Sequence, residues 1–346
     1  MTDAPTAVLE PASAPEPGPL VEDKPRSLKA KSDRSDLPFR IGTRTAASAV
    51  LAIMLLVGVF LLLQGGQALS AAGPLKFLTT QSWEPNSGVF GIAAVILGSI
   101  FIALTAIVVA VPLATGTALY ISEYAPRQIK QGLVTLVDLM AAVPSVVYGL
   151  WGLKALQPNI TGVSQFIATW FGWIPIFHVD GFDPSDPLSS PTTFTSSTFI
   201  IGLVVGMMVA PITCSIMREV FTQAPIGERE GALALGATKW GMIRRVVIPF
   251  GRGGMIGGTM LGLGRALGET IAVALIVSPV FVVQPQILKS GANSISALIA
   301  LRYSESSPFE ISALMAAGLA LFILTLIVNF GASLVISRSR SGASSD

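Results

Sequence analysis

The sequence has almost none of the residues that carry metal or thiol chemistry. Its 346 residues include one cysteine, Cys214, and one histidine, His178. They cannot build a disulfide framework or a Cys/His metal site, so metal hydrolysis, histidine-based triads and thiol redox chemistry are disfavoured. A G-x-x-x-x-G-K-[ST] sequence is also missing, and the chain therefore lacks the P-loop that cradles ATP phosphates.

Charged residues are scarce as well, at 12% of the chain, where ordinary soluble domains carry about 25%. Hydrophobic residues make up 51% of the sequence, and the mean hydropathy is +0.69. The net charge is only +2, and the basic residues are scattered, which argues against a nucleic-acid partner. This composition predicts an all-α polytopic membrane protein.

The first 40 residues are predicted to form a disordered, Pro-rich cytoplasmic tail. Seven prolines lie among the first 38 residues, with almost no large apolar side chains. The first apolar run, Thr45–Leu63, starts too late and is too long for a cleaved secretory signal, so it is interpreted as a membrane span. A membrane domain is predicted over residues 41–340, followed by a short cytoplasmic tail at 341–346.

Six runs are long and apolar enough to cross a membrane, because about 20 helical residues span about 30 Å of hydrocarbon. An aromatic-rich stretch, Val163–Val179, is broken by Gly172 and Pro175 and favours a short interfacial helix. Asp138 lies in the third run and is interpreted as a snorkelling or helix-start carboxylate rather than as part of a transport pathway. The six predicted spans are Thr45–Leu63, Val89–Leu113, Leu133–Leu153, Thr198–Met217, Gly254–Val277 and Ile311–Ile336.

The distribution of Lys and Arg predicts that both termini are cytoplasmic, because positively charged loops are retained inside. With the N-terminus inside, most basic residues lie in cytoplasmic segments, and only Lys76, Lys154, Lys289 and Arg302 fall outside. The longest cytoplasmic loop, at about 218–250, then joins spans four and five.

This loop predicts two short helices joined at a glycine corner. Glu228 and Glu230 are expected in the first turn of the first helix, where carboxylates favour the positive end of the helix dipole. Gly236 permits a left-handed turn, and Pro249 is expected to stop the second helix before span five. Small residues within Gly231–Ala234 would let a second protein approach the first helix closely. From the residues alone, a linker lying against the membrane remains the alternative.

The same loop resembles the EAA signature of ABC-importer permeases, E-A-A-x3-G-x9-I-x-L-P. The sequence from Glu230 to Pro249 reads E-G-A, three residues, G, nine residues, then V-V-I-P, which matches the spacing throughout. Gly231, Val246 and Ile248 depart from the pattern but keep small or aliphatic character. The resemblance implies a type I fold of six transmembrane helices, whose loop docks into an ATP-binding subunit. The residues thereby implied in mechanical coupling are Glu230, Gly231, Ala232, Leu235 and Gly236.

Two further segments are similar to the phosphate-specific permeases, and more to the PstC type than to its PstA partner. They read G-L-G-R-A-L-G-E-T-I-A-V at Gly262–Val273 and V-P-S-V-V-Y-G-L-W-G at Val143–Gly152. The resemblance covers about residues 40–340. It implies import of inorganic phosphate together with a second permease of PstA type, a PstB-type ATPase dimer and an extracytoplasmic phosphate-binding protein. No cofactor is expected on this chain, and ATP and Mg would bind the partner ATPase.

Arg265 and Glu269 place two charges within span five, where each charged group costs about 2.5–3.5 kcal/mol. Their spacing of four residues predicts a shared helical face and a mutual ion pair. Alternatively, the guanidinium faces a translocation cavity and hydrogen-bonds two oxygens of a passing oxyanion, while Glu269 limits how firmly the anion is held. Both roles are compatible. Ser145 and Tyr148, beside Pro144, are candidates for a cavity wall.

Other functions stay open at this point. The same importer class could carry another oxyanion or small solute. An ion-coupled secondary transporter should show an inverted repeat with acidic residues in corresponding halves, whereas one half alone carries a charge pair here. A membrane enzyme is disfavoured because no catalytic constellation is evident. We therefore expect a non-enzymatic transport subunit of the bacterial cytoplasmic membrane.

Overall fold

The computed structural model describes residues 36–183 and 190–340. The predicted tails lie outside the described residues up to residue 35 and from residue 341 onward. Residues 36–40, predicted as part of the tail, are helical, because helix α1 already begins at Asp36. Pro38 falls in the first turn of that helix, where its missing N–H costs no intrahelical hydrogen bond.

The chain divides into residues 1–53 and residues 54–346. In the first unit, the described side chains from residue 37 onward are exposed. The packing reported below lies within the second unit.

Helices dominate the described residues, and a single short hairpin joins the second and third of them. Strands β1 (Trp83–Glu84) and β2 (Val89–Phe90) pair antiparallel, with Trp83 opposite Phe90. Within residues 36–183 and 190–340, three π-helical turns interrupt or extend helices, at Tyr120–Tyr124, Gly152–Leu156 and Ile243–Val247. The helices are α1 (Asp36–Ala72), α2 (Pro74–Thr79), α3 (Ala93–Leu119), α4 (Arg127–Ala141), α5 (Ser145–Trp151), α6 (Gln157–Phe171), α7 (Thr198–Thr222), α8 (Ile226–Ala234), α9 (Lys239–Met242), α10 (Ile248–Gly268), α11 (Ile271–Ile276), α12 (Ile295–Arg302) and α13 (Pro308–Arg340).

Five helical segments in the described residues are long and apolar enough to cross a membrane. A sixth span is obtained when Arg127–Ala141 and Ser145–Phe171, bent by 86° at their junction, count as one. The predicted number of six is reached on that count. The five continuous segments are Leu37–Ala72, Ala93–Tyr124, Thr198–Thr222, Lys239–Gly268 and Pro308–Leu334.

The third predicted span, Leu133–Leu153, is wrong as a continuous helix. Pro144 has no N–H to donate and disfavours helical backbone at the residue before it, so α4 ends at Ala141 and α5 starts at Ser145. Through the π turn Gly152–Leu156, α5 then continues directly into α6. The predicted interfacial helix at Val163–Val179 is therefore not separate, since its first half is the end of α6.

Helix α7 lies at the centre of the packing in residues 54–346, with α3 and α10 against it. A Cβ added to Gly206 of α7 would lie 2.8 Å from the Ala106 carbonyl oxygen of α3. A Cβ on Gly262 of α10 would lie 2.8 Å from Thr213 Oγ1 of α7. These glycines let the three backbones approach closely, as membrane helices commonly do. The face of α3 toward α7 carries buried alanines, Ala103, Ala106, Ala110, Ala114 and Ala118.

Candidate functional site

The loop between α7 and α10 contains the expected helix–turn–helix corner. Helix α8 ends in a Schellman motif: Gly236 N–H donates to the Leu233 carbonyl at 2.9 Å, and Ala237 N–H donates to the Ala232 carbonyl at 3.1 Å. Gly236 has φ of 84°, in the left-handed region that glycine adopts without strain. The Thr238 hydroxyl then accepts from the Gly241 N–H at 3.1 Å and starts α9.

The corner presents large apolar side chains outward. Leu235 is 91% exposed at its tip, with Ile226 at 71% and Trp240 at 57% on the flanking turns. Exposed apolar groups of this size mark a surface that contacts another protein or the membrane. All five residues predicted for coupling, Glu230, Gly231, Ala232, Leu235 and Gly236, lie in α8 or at the turn that follows it.

The prediction that Pro249 stops the second helix is wrong. The helix continues from Lys239 to Gly268 without a break. Pro249 follows the π turn Ile243–Val247, and the altered hydrogen-bond register of this turn accommodates its missing N–H within the continuous helix. The corner is thus directly continuous with a membrane-spanning helix.

Four side chains missed by the sequence analysis fasten the corner to the end of α3. Arg229 of α8 forms an ion pair with Glu123 (Nη1–Oε1 3.2 Å), and its Nη2 donates to the Phe221 carbonyl at the end of α7. Lys239 Nζ lies 4.7 Å from the ring centroid of Tyr124. The sequence signal for this ion pair was the opposite charge of Glu123 and Arg229, which flank spans that end on the same side of the membrane.

Arg265 lines a cavity of about 450 Å³ between α7, α10 and α13. Polar groups of α13, Thr325 and Asn329, line it together with Ile212 of α7. Among the described residues Arg265 has no ion pair or hydrogen-bond partner, so its guanidinium donors are available. Asn329 is an intramembrane polar residue that was not among the residues predicted from the sequence.

The predicted Arg265–Glu269 ion pair is wrong. Helix α10 ends at Gly268, and Glu269 adopts an extended backbone with ψ of 124°, so the four-residue helical spacing does not hold. The buried Glu269 carboxylate instead accepts from the Ala272 N–H at 3.2 Å, at the start of α11. The Ser296 hydroxyl donates to the Glu269 carbonyl at 2.7 Å. Glu269 therefore stabilises the break between α10 and α11.

Ser145 and Tyr148 lie just after the break between α4 and α5. The Tyr148 hydroxyl donates to the Met140 carbonyl at 3.1 Å and bridges the break. Neither residue lines the cavity that contains Arg265. Asp138 lies in the last turn of α4 rather than at a helix start, and the Ser215 hydroxyl of α7 donates to it at 3.2 Å.

At the other end of α7 and α10, two loops are held together by an exposed carboxylate. Lys289 Nζ lies 3.0 Å and Gln286 Nε2 3.1 Å from Asp180 Oδ2, while His178 Nε2 lies 3.5 Å from Oδ1. The hydrogen bonds from Lys289 and Gln286 hold the pKa of the Asp180 carboxyl below its ordinary value of 3.8.

Several apolar spans among the described residues, an exposed helix corner at one end and a cavity lined by Arg265 are features of a polytopic membrane protein. Residues 110–341 match the family described as "Binding-protein-dependent transport system inner membrane component". The chain belongs to this family of importer permeases.

Curated relatives cover nearly the whole chain. The "Phosphate transport system permease protein PstC 2" of Mycobacterium tuberculosis is 36% identical over 312 residues, which cover 89% of this chain and 94% of the relative. The PstC protein of Xylella fastidiosa (strain 9a5c) is 36% identical over 321 residues, covering 92% and 96%. The resemblance to PstC-type permeases noted from the sequence is thereby confirmed.

A solved structure shares the fold. The bacterial alginate ABC transporter in complex with a periplasmic protein contains a chain that is 16% identical, with a TM-score of 0.53. The match covers 87% of this chain and 99% of that chain. The expected importer-permease fold is therefore confirmed.

Proposed function

We propose that this chain is a transmembrane permease subunit of an ATP-driven, binding-protein-dependent importer of inorganic phosphate. The observation that carries the proposal is the α8–α9 corner, which exposes Leu235 and Trp240 on a helix continuous with a membrane span. Displacing such a corner moves α10 directly. The choice of phosphate is supported by relatives whose names specify phosphate transport.

The proposed partners follow from what this chain supplies and what it lacks. A PstB-type ATPase dimer binds ATP and Mg and receives the corner in a groove. A PstA-type permease completes the pathway, and an extracytoplasmic binding protein delivers phosphate. The basic residues support an orientation in the bacterial cytoplasmic membrane with both termini cytoplasmic.

Arg265 is the proposed contact for the anion. A guanidinium can hydrogen-bond two oxygens of one oxyanion, and the cavity around it also offers Thr325 and Asn329. Glu269 lies at the break between α10 and α11, and the Ser145–Tyr148 segment follows the break between α4 and α5. Both breaks are proposed to border the pathway. The guanidinium fork suits other tetrahedral oxyanions equally, and this favours a sulfate importer as the second candidate.

The test is ATP-dependent uptake of labelled phosphate by the complex reconstituted in vesicles, with Arg265→Gln as the variant. Charge-assisted hydrogen bonds contribute about 1.5–3 kcal/mol, so uptake should fall by roughly tenfold to a hundredfold. The matched control is Arg252→Gln, an exposed arginine of the same helix that does not line the cavity. Equal uptake by Arg265→Gln and the control would remove Arg265 from the pathway.

A further inference from the structure

The π turn Tyr120–Tyr124 at the end of α3 contacts both arms of the corner through two consecutive residues. Glu123 holds α8 through Arg229, and Tyr124 holds α9 through Lys239. π turns occur frequently at functional sites, where the extra residue redirects side chains. Here the turn directs adjacent side chains toward α8 and α9 at the same time.

Glu123 and Arg229 form a buried attachment, unlike the exposed charges around them. The Glu123 side chain is 5% exposed and the Arg229 side chain 19% exposed. Arg229 also donates to the Phe221 carbonyl, so one guanidinium joins α8 to the ends of both α3 and α7. Removing one partner of a buried pair leaves the other charge unpaired, which is strongly unfavourable. The pair therefore resists separation when the corner is displaced.

The second attachment is weaker and nearer the surface. Lys239 is exposed, and Tyr124 is 44% exposed. Their 4.7 Å separation fits a cation–π contact, which requires the ring of Tyr124 but not its hydroxyl. It adds a contact from α9 to the same end of α3.

These attachments connect the corner to α3 and α7 as well as to α10. Without them, a displacement of the corner passes along the continuous helix into α10 alone. With them, α3 and α7 are displaced as well, and the two helices pack tightly along their length. Ile212 of α7, Arg265 of α10 and Asn329 of α13 line one cavity, so joint displacement of α7 and α10 relative to α13 changes its shape.

We propose that Arg229 is a positioning residue for energy coupling, acting with Glu123 and Tyr124 to transmit displacement of the α8–α9 corner to α3 and α7. This inference rests on the proposed function, because it needs an ATPase partner to displace the corner. Arg229 does not touch the transported solute. Its loss should uncouple ATP hydrolysis from uptake, while the ATPase still binds the exposed tip at Leu235.

The experiment compares solute uptake per ATP hydrolysed in the reconstituted complex for Arg229→Gln, Glu123→Gln and the double variant. Coupling of this kind typically corresponds to between 5-fold and 150-fold, so we expect the uptake per ATP to fall about tenfold in each single variant. If the pair acts as one unit, the double variant should lose no more than either single variant. Arg244→Gln removes an exposed arginine of the following π turn and should match the unchanged chain.

A second set of variants avoids any buried charge. Tyr124→Leu removes the ring and should lower uptake per ATP about threefold, as expected for a weaker exposed contact, whereas Tyr124→Phe keeps the ring and should have no effect. If Arg229→Gln lowers the melting temperature of the complex and releases the ATPase, the comparison of Tyr124→Leu with Tyr124→Phe tests the proposal instead. Equal coupling in both Tyr124 variants would then overturn the proposal.

Failure of the inference differs from failure of the proposed function. If the unchanged complex shows ATP-driven uptake and Arg229→Gln retains it fully, the positioning role is refuted and the importer stands. If the unchanged chain binds no ATPase, the proposed function fails and the inference fails with it. Retained ATPase binding and hydrolysis with lost uptake in Arg229→Gln would support both.

Discussion

The left-handed turn at Gly236 gives a sharp test of the corner, because a second glycine nearby serves as its control. A Cβ at either Gly236 or Gly231 would meet no atom within 4 Å, so an added methyl group causes no clash at either position. Only the backbone differs. Gly236 has φ of 84°, whereas Gly231 lies within helix α8.

The two Gly→Ala changes should therefore have opposite effects. In Gly236→Ala, an L-residue in the left-handed region costs roughly 1–2 kcal/mol. In Gly231→Ala, replacing glycine within a helix should stabilise α8 by up to about 1 kcal/mol. Gly236→Asn should fall between them, since asparagine tolerates this backbone better than alanine. Because the corner must be formed before it binds the ATPase, a loss of 1–2 kcal/mol lowers the ratio of formed to unformed corner by a factor of roughly 5–30.

Two measurements check this prediction. Hydrogen exchange at the amides of residues 236 and 237, which close the Schellman motif, should accelerate in Gly236→Ala and slow in Gly231→Ala. Affinity for the ATPase subunit should follow the same order. If both alanine variants behave alike in exchange and in binding, the left-handed turn at Gly236 does not control formation of the corner.

Two further predictions concern other parts of the chain. Gly98→Ala would drive a Cβ into the Asn293 carbonyl oxygen and should destabilise the protein by about 3 kcal/mol, whereas Gly116→Ala in the same helix meets no atom within 4 Å. Thermal unfolding in detergent should separate the two variants, and equal melting temperatures would contradict the packing. The Asp180–Lys289 contact should persist above pH 3.8 and be lost as the pH falls through the lowered pKa of Asp180. Hydrogen exchange of the 283–290 loop should show this transition, and Asp180→Asn should abolish it.

Hydropathy predicted the spans because a helix satisfies its own backbone hydrogen bonds within hydrocarbon. Hydropathy does not predict which proline interrupts a helix. Pro112 and Pro211 lie inside continuous helices, and Pro249 follows a π turn, whereas Pro144 stands at a bend of 86°. Each removes the same donor, so the outcome depends on packing and on neighbouring helical turns. A single sequence does not display either.

In the candidate site, too, features set by neighbouring residues were predicted, whereas contacts between distant residues were not. The EAA-like spacing predicted the helix corner because its cues are local: a glycine at the turn and small residues before it. The Arg265–Glu269 pair was wrong because the i,i+4 rule assumes a continuous helix, and α10 ends at Gly268. The Glu123–Arg229 pair joins residues 106 positions apart, and no local pattern connects them.

The proposed importer function is best tested by purifying the chain with its bound subunits and reconstituting the complex in vesicles. We expect a P-loop ATPase and a second permease to copurify, and uptake of labelled phosphate, but not sulfate, to require ATP and the binding protein. Solute movement by the isolated chain on an ion gradient, without any ATPase, would contradict it.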